Sequence, residues 1–414
     1  MIMQFGTSGL RGVYGKEITP QLFYEIANRF RANEIGLGRD IRPSSVILYH
    51  AALSGLLSNG SVVFDAGIVP TPTLVHYKPN SIMITASHNP IEFNGIKLFK
   101  QHIELNKNKA SSYLNGGLVY EIGEYVNIHE EAVEKHIEDI LRNINIDVEK
   151  RVVIDCNGPA YVILPKLFHQ LGAHFKGINC SEIMNRKPEP NKINLSHLEN
   201  YDLAFGFDGD SDRISMIYNK QFISGDRLFG LISLYMLRKG IKDIVTTVET
   251  SLGIKQLINS NGGRLHITPV GSTYVGDKMF ENGFKFGGEP AGEFIYSSMS
   301  FVPDAIYSLM ILLDIVHNHE DLLNLNIPEF YMIRQNYKTK EKNKVLTNIL
   351  NKLSFDGKYT NMEDGVRIDS EDYWLLIRKS GTEPLIRLTV EAKTKDIKNQ
   401  IFNKCDSLIK SELK

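Results

Sequence analysis

The sequence predicts an α/β protein built from several domains, and three observations carry that reading. At 414 residues the chain exceeds one ordinary domain and suggests roughly two to four. One rhythm recurs three times: an apolar run, a polar turn, a helical stretch, a glycine and a second apolar run. That order is the signature of a βαβ unit with parallel strands. Past Pro328 the composition turns rich in Lys and Asn, as expected where a smaller domain of different pattern begins.

In the first copy, strand 35–38 leads through Arg39-Asp40 to a helix over 44–58, Asn59-Gly60 and strand 62–64. The second runs from strand 152–155 through a helix over 162–171 and Gly172 to strand 173–178. The third has strand 244–248, a helix over 252–259, Gly262-Gly263 and strand 265–268. Copies roughly a hundred residues apart suggest three related α/β domains with mixed sheets. A charged amphipathic helix over 130–142 marks the first boundary, and Gly240 after a helix end marks the second. The lysine-rich stretch 338–344 is a solvated face or linker. The remainder forms an α+β domain with strands 373–377 and 385–390 and a last helix over 395–413. The expected domains are 1–145, 146–240, 241–328 and 329–414.

Bulk properties exclude several classes. A net charge of −1 supplies no basic field for nucleic acid. No apolar run reaches the roughly 18 residues of a membrane span. The opening Met1-Ile2-Met3-Gln4-Phe5 lacks the basic region and apolar core of a signal peptide. Cys156, Cys180 and Cys405 are too few and too scattered for a disulfide framework or a zinc site. A soluble, cytoplasmic protein is expected, with no nucleic-acid or membrane partner.

Four loops concentrate chemistry. Thr85-Ala86-Ser87-His88-Asn89-Pro90 follows the apolar strand 81–84. Asn89 suits an N-cap and Pro90 a first helical turn, so Ser87 is expected at a strand-to-helix turn whose free N–H groups favour an anion. Asp208-Gly209-Asp210-Ser211-Asp212-Arg213 follows the apolar run 203–207. Carboxylates at i, i+2 and i+4 of a tight turn can converge on one hard cation. An EF-hand is rejected, because Arg213 and Asn219 stand where it needs Gly and Glu. Three such carboxylates repel by several kcal/mol at an effective dielectric of ~20, so a cation beyond Arg213 is required. Open coordination positions suit Mg²⁺ on a phosphoryl oxygen.

A hydroxyl beside a divalent site suggests phosphoryl transfer. Lys97, ten residues past Ser87, can reach the same site, where a depressed pKa would suit it to proton transfer. Gly287-Gly288-Glu289-Pro290-Ala291-Gly292-Glu293 sets two carboxylates four apart, suited to sugar hydroxyls. Arg378-Lys379-Ser380-Gly381-Thr382-Glu383-Pro384 offers a guanidinium, hydroxyls and amides for a phosphate. Gly271-Ser272-Thr273 is a weaker candidate. The opening Phe5-Gly6-Thr7-Ser8-Gly9-Leu10-Arg11-Gly12 can bring amides and Arg11 to a phosphate, and it is no Walker loop.

These motifs, in this order and spacing, resemble the α-D-phosphohexomutase family across essentially the whole chain. The resemblance implies three α/β domains and a smaller C-terminal one around a central cleft. It implies that Ser87 is the phosphoserine, that Asp208, Asp210 and Asp212 with Ser87 hold one Mg²⁺, and that Arg11 and Lys97 assist proton transfer. His88 and Arg213 would support the phosphoryl site. Glu289 and Glu293 would face the sugar, and Arg378, Ser380, Gly381 and Thr382 the non-reacting phosphate. Phosphate would move between O1 and O6 of a phosphosugar through a bisphosphate intermediate. The opening and serine motifs resemble phosphoglucosamine mutases more than mannose-selective members. Ala291 and Glu293 depart from the common Gly-Glu-x-Ser-Gly-His, and a carboxylate at 293 suits an amino sugar's ammonium. Phosphomannomutase or phosphoglucomutase activity, a phosphatase or kinase, and a non-catalytic phosphosugar-binding protein are the rival readings. A monomer or homodimer is expected.

Overall fold

The computed structural model describes residues 4–144, 146, 148, 150–325, 327–328, 330–362, 364–380 and 384–413. The chain divides into two compact units, Met1–Thr246 with Gly271–Leu325, and Thr247–Val270 with Asn326–Lys414.

In the first unit a seven-stranded mixed sheet runs Leu10–Val13, Phe93–Lys100, Ser81–Ile84, Glu34–Arg39, Val62–Ile68, Glu124–Asn127, with Ile103–Glu104 paired to Phe93–Lys100. Glu34–Arg39 lies parallel to both Val62–Ile68 and Ser81–Ile84, as the first βαβ rhythm requires. Between the first two runs Ser45–Leu57, five residues of which are leucines or isoleucines and two alanines, packs on helix Pro20–Arg29. A second sheet orders Gln221–Phe222, Ile214–Tyr218, Leu203–Phe207, Val152–Asp155 and Phe175–Ile178. Its central strands, VVID and LAFGF, are buried at every residue, as strands covered on both faces should be. Further along, Phe286–Glu289 and Glu293–Tyr296 form an antiparallel hairpin that continues Ile244 and Val245 in parallel.

In the second unit five antiparallel strands run Tyr331–Lys338, Leu385–Ala392, Tyr373–Lys379, Gly365–Asp369, Lys358–Met362. Helices Lys342–Lys352 and Lys395–Glu412 cover one face around Ile349, Leu375, Leu388 and Ile409. Helix Leu252–Ser260 joins this unit, its Leu252 N–H donating to Glu391 at 2.7 Å. The protein is thus a mixed α/β fold with four sheets.

Two expectations are corrected. No helix follows Pro90; the chain turns straight into antiparallel strand Phe93–Lys100. The buried Arg42 guanidinium takes the carbonyls of Ser87, Asn89, Pro90 and Phe93, so they are unavailable for helical i→i−4 bonding. The cysteines, too few for a framework, nevertheless make one disulfide, Cys156–Cys180. Parallel pairing of Asp155 with Ile178 brings the two strand ends together, leaving the cysteine Cα atoms 4.9 Å apart. Cys405 is free and buried. Among the described residues no helix is long and apolar enough to cross a membrane.

Candidate active site

The serine loop leaves the buried strand Ser81–Ile84. Ser87 sits in the left-handed region, φ 50°, a conformation a serine keeps only when its surroundings over-determine it. Its N–H donates to Thr85 Oγ1 at 2.9 Å, and Thr85 Oγ1 donates to Asp40 at 2.8 Å. Arg42 supplies the rest. Nε binds Asp40 at 3.0 Å, Nη1 binds Pro90 and Phe93 carbonyls, and Nη2 binds those of Ser87 and Asn89, the four spanning 2.6 to 3.0 Å. All five guanidinium donors are used, and only arginine has five.

The aspartate loop leaves Leu203–Phe207 and returns as Ile214–Tyr218. Asp208 Oδ1 accepts the N–H groups of Asp212 and Arg213, each at 3.1 Å, so the loop is wound on its own first carboxylate. Thr71, the first residue of helix Thr71–Tyr77, anchors it, its N–H to the Asp210 carbonyl at 3.0 Å and its hydroxyl to Asp210 Oδ2 at 2.6 Å. The loops meet at Gly209, where a Cβ would lie 2.4 Å from the Ser87 carbonyl oxygen. There Ser87 Oγ donates to Asp208 Oδ2 at 2.7 Å. Lys97 Nζ donates to Asp210 at 2.8 Å and Asp212 at 2.6 Å.

One ligand atom from each aspartate lies within 4.8 Å of the others. Asp210 Oδ1 and Asp212 Oδ1 are buried with no hydrogen-bond partner, lone pairs that a hard divalent cation would satisfy. Burial and mutual repulsion raise Asp208 and Asp212 above the usual carboxylate range. Burial pushes Asp210 the same way, but Lys97 and Thr71 hold it below that range. The depressed Lys97 expected from sequence is not found. Burial alone would lower it, yet Asp210 and Asp212 hold it above the ordinary lysine range, so it is a fixed cation.

Around this centre Arg213 lies between two carboxylates, 3.5 Å from Glu189 and 3.4 Å from Glu293. His88 Nδ1 is 3.3 Å from Ser87 Oγ and its Nε2 3.8 Å from Glu189. Burial, with Arg213 and Arg11, keeps its imidazole neutral. Arg11, on strand Leu10–Val13, donates to Asn89 Oδ1 at 3.0 Å. Glu289 and Glu293 close the hairpin as a directly opposed pair, both buried. In the second unit Arg378 donates to Glu249 at 2.6 Å, and the Ser380 carbonyl accepts from Lys342 at 2.6 Å. Gly381 and Thr382 lie outside the described residues.

The structure therefore gathers Ser87, His88, Arg11, Lys97, the three aspartates, Arg213 and Glu293 in one unit. Sequence reading missed Arg42, Thr71 and Glu189. Arg42 left a trace, a charged Asp40-Ile41-Arg42 at the end of an apolar strand; Thr71 and Glu189 left none.

Comparison with known proteins follows the same lines. Models of the phosphoglucomutase/phosphomannomutase family match three stretches: alpha/beta/alpha domain I over residues 3–112, alpha/beta/alpha domain III over 224–329, and the C-terminal domain over 332–407. A probable phosphoglucosamine mutase of Pyrococcus horikoshii is 33% identical, covering 99% of this chain and 98% of its own. The phosphoglucosamine mutase of Methanocaldococcus jannaschii is also 33% identical, with the same coverage. A crystal structure of a phosphoglucomutase/phosphomannomutase family protein from Burkholderia thailandensis superposes with a TM-score of 0.85 at 23% identity, covering 100% of this chain and 98% of the other. An Aspergillus fumigatus N-acetylphosphoglucosamine mutase, solved with GlcNAc-6P and magnesium, shares the fold at a TM-score of 0.65 and 14% identity, covering 100% and 96%. With a serine hydroxyl on an aspartate triplet and relatives matching along its full length, the chain belongs to the phosphoglucomutase/phosphomannomutase family of α-D-phosphohexomutases.

Proposed function

We propose that the protein is a phosphohexomutase moving phosphate between O1 and O6 of glucosamine phosphate through a phosphoserine at Ser87. The observation that carries this reading is the 2.7 Å contact of Ser87 Oγ with an aspartate triplet that retains two unpartnered oxygens. Asp208, Asp210 and Asp212, with a Ser87 phosphate oxygen, would hold one Mg²⁺, which supplies charge neutralisation on the transferring group when bound. Lys97 and Arg11 add fixed positive charge beside it. Neutral His88 has one unprotonated ring nitrogen that would accept a proton from the attacking hydroxyl. Glu289 and Glu293 are assigned to the sugar, and Arg378, Ser380, Gly381 and Thr382 to the non-reacting phosphate. A sugar bisphosphate is then both intermediate and activator. The phosphoglucosamine mutases at 33% identity support the amino sugar, and the division at 1–145, 146–240, 241–328 and 329–414 accompanies the reading.

Intact mass with and without phosphatase treatment tests the phosphoserine: one phosphate must be lost, and lost from Ser87. Turnover primed with bisphosphate, across glucosamine, N-acetylglucosamine, glucose and mannose phosphates, tests the substrate. Turnover of mannose or glucose phosphate without glucosamine phosphate would overturn the amino-sugar assignment. A cytoplasmic location and a monomer or homodimer complete the proposal. Thiol labelling of Cys156 and Cys180 in cell extract checks the first, and light scattering the second.

A further inference from the structure

Behind the Arg11 side of the site lies a carboxyl that none of the motifs includes. Glu104 ends the two-residue strand Ile103–Glu104, antiparallel to Phe93–Lys100 with Phe99 directly opposite. Alternation puts Phe99 and Lys97 on one face, so Glu104 shares the face from which Lys97 reaches the aspartates. Only 4% of Glu104 is exposed. Its Oε1 accepts the Ser8 hydroxyl at 2.8 Å, and Ser8 Oγ accepts Arg11 Nη2 at 3.1 Å. Arg11 Nη1 continues to Asn89, two residues past Ser87. A chain of hydrogen bonds thus runs from a buried carboxyl to the serine loop. Ser8 is half-buried, at the edge between the two.

A hydroxyl has one proton. Committed to Glu104, it leaves Ser8 only lone pairs to offer the guanidinium. Without an acceptor at 104, that proton is free to turn toward Arg11 and oppose it. We infer that Glu104 is a positioning residue for phosphoryl transfer: its carboxylate fixes the polarity of Ser8 and, through Ser8, seats Arg11 against the serine loop. The inference rests on the mutase reading. Burial pushes Glu104 up to about 7, although Lys97, Ser8 and Arg11 pull it down and Asp212 adds to the rise. Helix Ser272–Asn282, packed on this strand, brings Asp277, which is taken up by Asn106 and Lys109. The charge state of Glu104 therefore changes near neutrality, and the strength of its hold on the Ser8 proton changes with it.

The test compares wild type with Glu104→Ala, Glu104→Gln and Ser8→Ala in the bisphosphate-primed assay from pH 5.5 to 9, beside thermal melts. Misplacing a charged group by a fraction of its contact distance costs up to ~10²-fold, so kcat of Glu104→Ala and Ser8→Ala should fall by ~10- to 100-fold with KM within about twofold. Glu104→Gln, which keeps an acceptor for Ser8, should recover part of kcat yet lose the wild-type ionisation near pH 7. Wild-type kcat and an unchanged pH profile in Glu104→Gln and Ser8→Ala would overturn the inference. So would a loss that merely tracks melting temperature and that Glu104→Gln does not rescue. Wild type inactive on every phosphosugar would instead overturn the mutase reading, and this inference with it.

Discussion

The serine loop and the aspartate loop touch at Gly209, yet they are held by opposite strategies. Each carries a serine in the left-handed region, Ser87 at φ 50° and Ser211 at φ 59°. The serine loop is gripped from beneath by one buried cation, Arg42, which consumes its carbonyls and leaves the Ser87 hydroxyl to its neighbours. The aspartate loop is wound on Asp208 and pinned by Thr71, and its cation Lys97 sits on the side chains instead. One loop therefore has three of its carbonyls, those of Ser87, Asn89 and Pro90, tied to a single guanidinium. The other keeps carboxylate oxygens in reserve. The nucleophile and the cation site proposed for these loops need such different supports.

The largest break in that contrast comes from chemistry. Ser87→Ala should lose turnover by ~10³-fold or more, because the proposed covalent step runs through its hydroxyl. It should also show no phosphate by intact mass, with the melting temperature little changed. Full turnover would remove Ser87 from its role.

Breaking the clamp comes next. Arg42→Ala leaves Asp40 as a buried charge without its partner, which typically costs about 3–5 kcal/mol. The orphaned carbonyls add to that. Arg42→Lys keeps the charge but has three donors for five acceptors, so it should recover only part, as read from denaturant midpoints.

Filling the aspartate loop sharpens the contrast in the other direction. Mg²⁺ at 100 times its Kd should raise stability by about 2.7 kcal/mol, seen in melts with and without chelator. Asp212→Asn should abolish that gain. Because Asp208 and Asp212 are raised, the cation must displace protons from them as the pH falls through their range. Affinity should therefore rise with pH, and a flat profile would contradict the placement.

The smallest effect lies outside both loops. His76 is hydrogen-bonded to Asp139 at 2.7 Å and lowered by burial and by neighbouring His136. With the folded pKa below the unfolded value near 6.5, the unfolded chain binds more protons, so stability falls as pH drops below about 6.5. The slope should approach ~1 kcal/mol per pH unit and vanish in His76→Asn.

Much of this was legible in the sequence because it is local. Val152–Asp155, Leu203–Phe207 and helix Leu252–Ser260 follow from apolar runs and their punctuation. The aspartate triplet is legible too, since i, i+2, i+4 spacing converges within one turn. What pairwise tertiary contact decides was not. Asn89-Pro90 carries helix-start residues, but Arg42, 45 residues from Ser87 in sequence, overrides them. The Lys97 shift depended on two aspartates over a hundred residues away, and the disulfide on which strands happen to be neighbours.

The Arg42 clamp has one more implication. A loop with the carbonyls of Ser87, Asn89 and Pro90 held by one buried guanidinium resists re-forming around a ligand that presents first one end and then the other. If the proposed bisphosphate turns over between two half-reactions, the tumbling must be done by the sugar, against a stationary anvil.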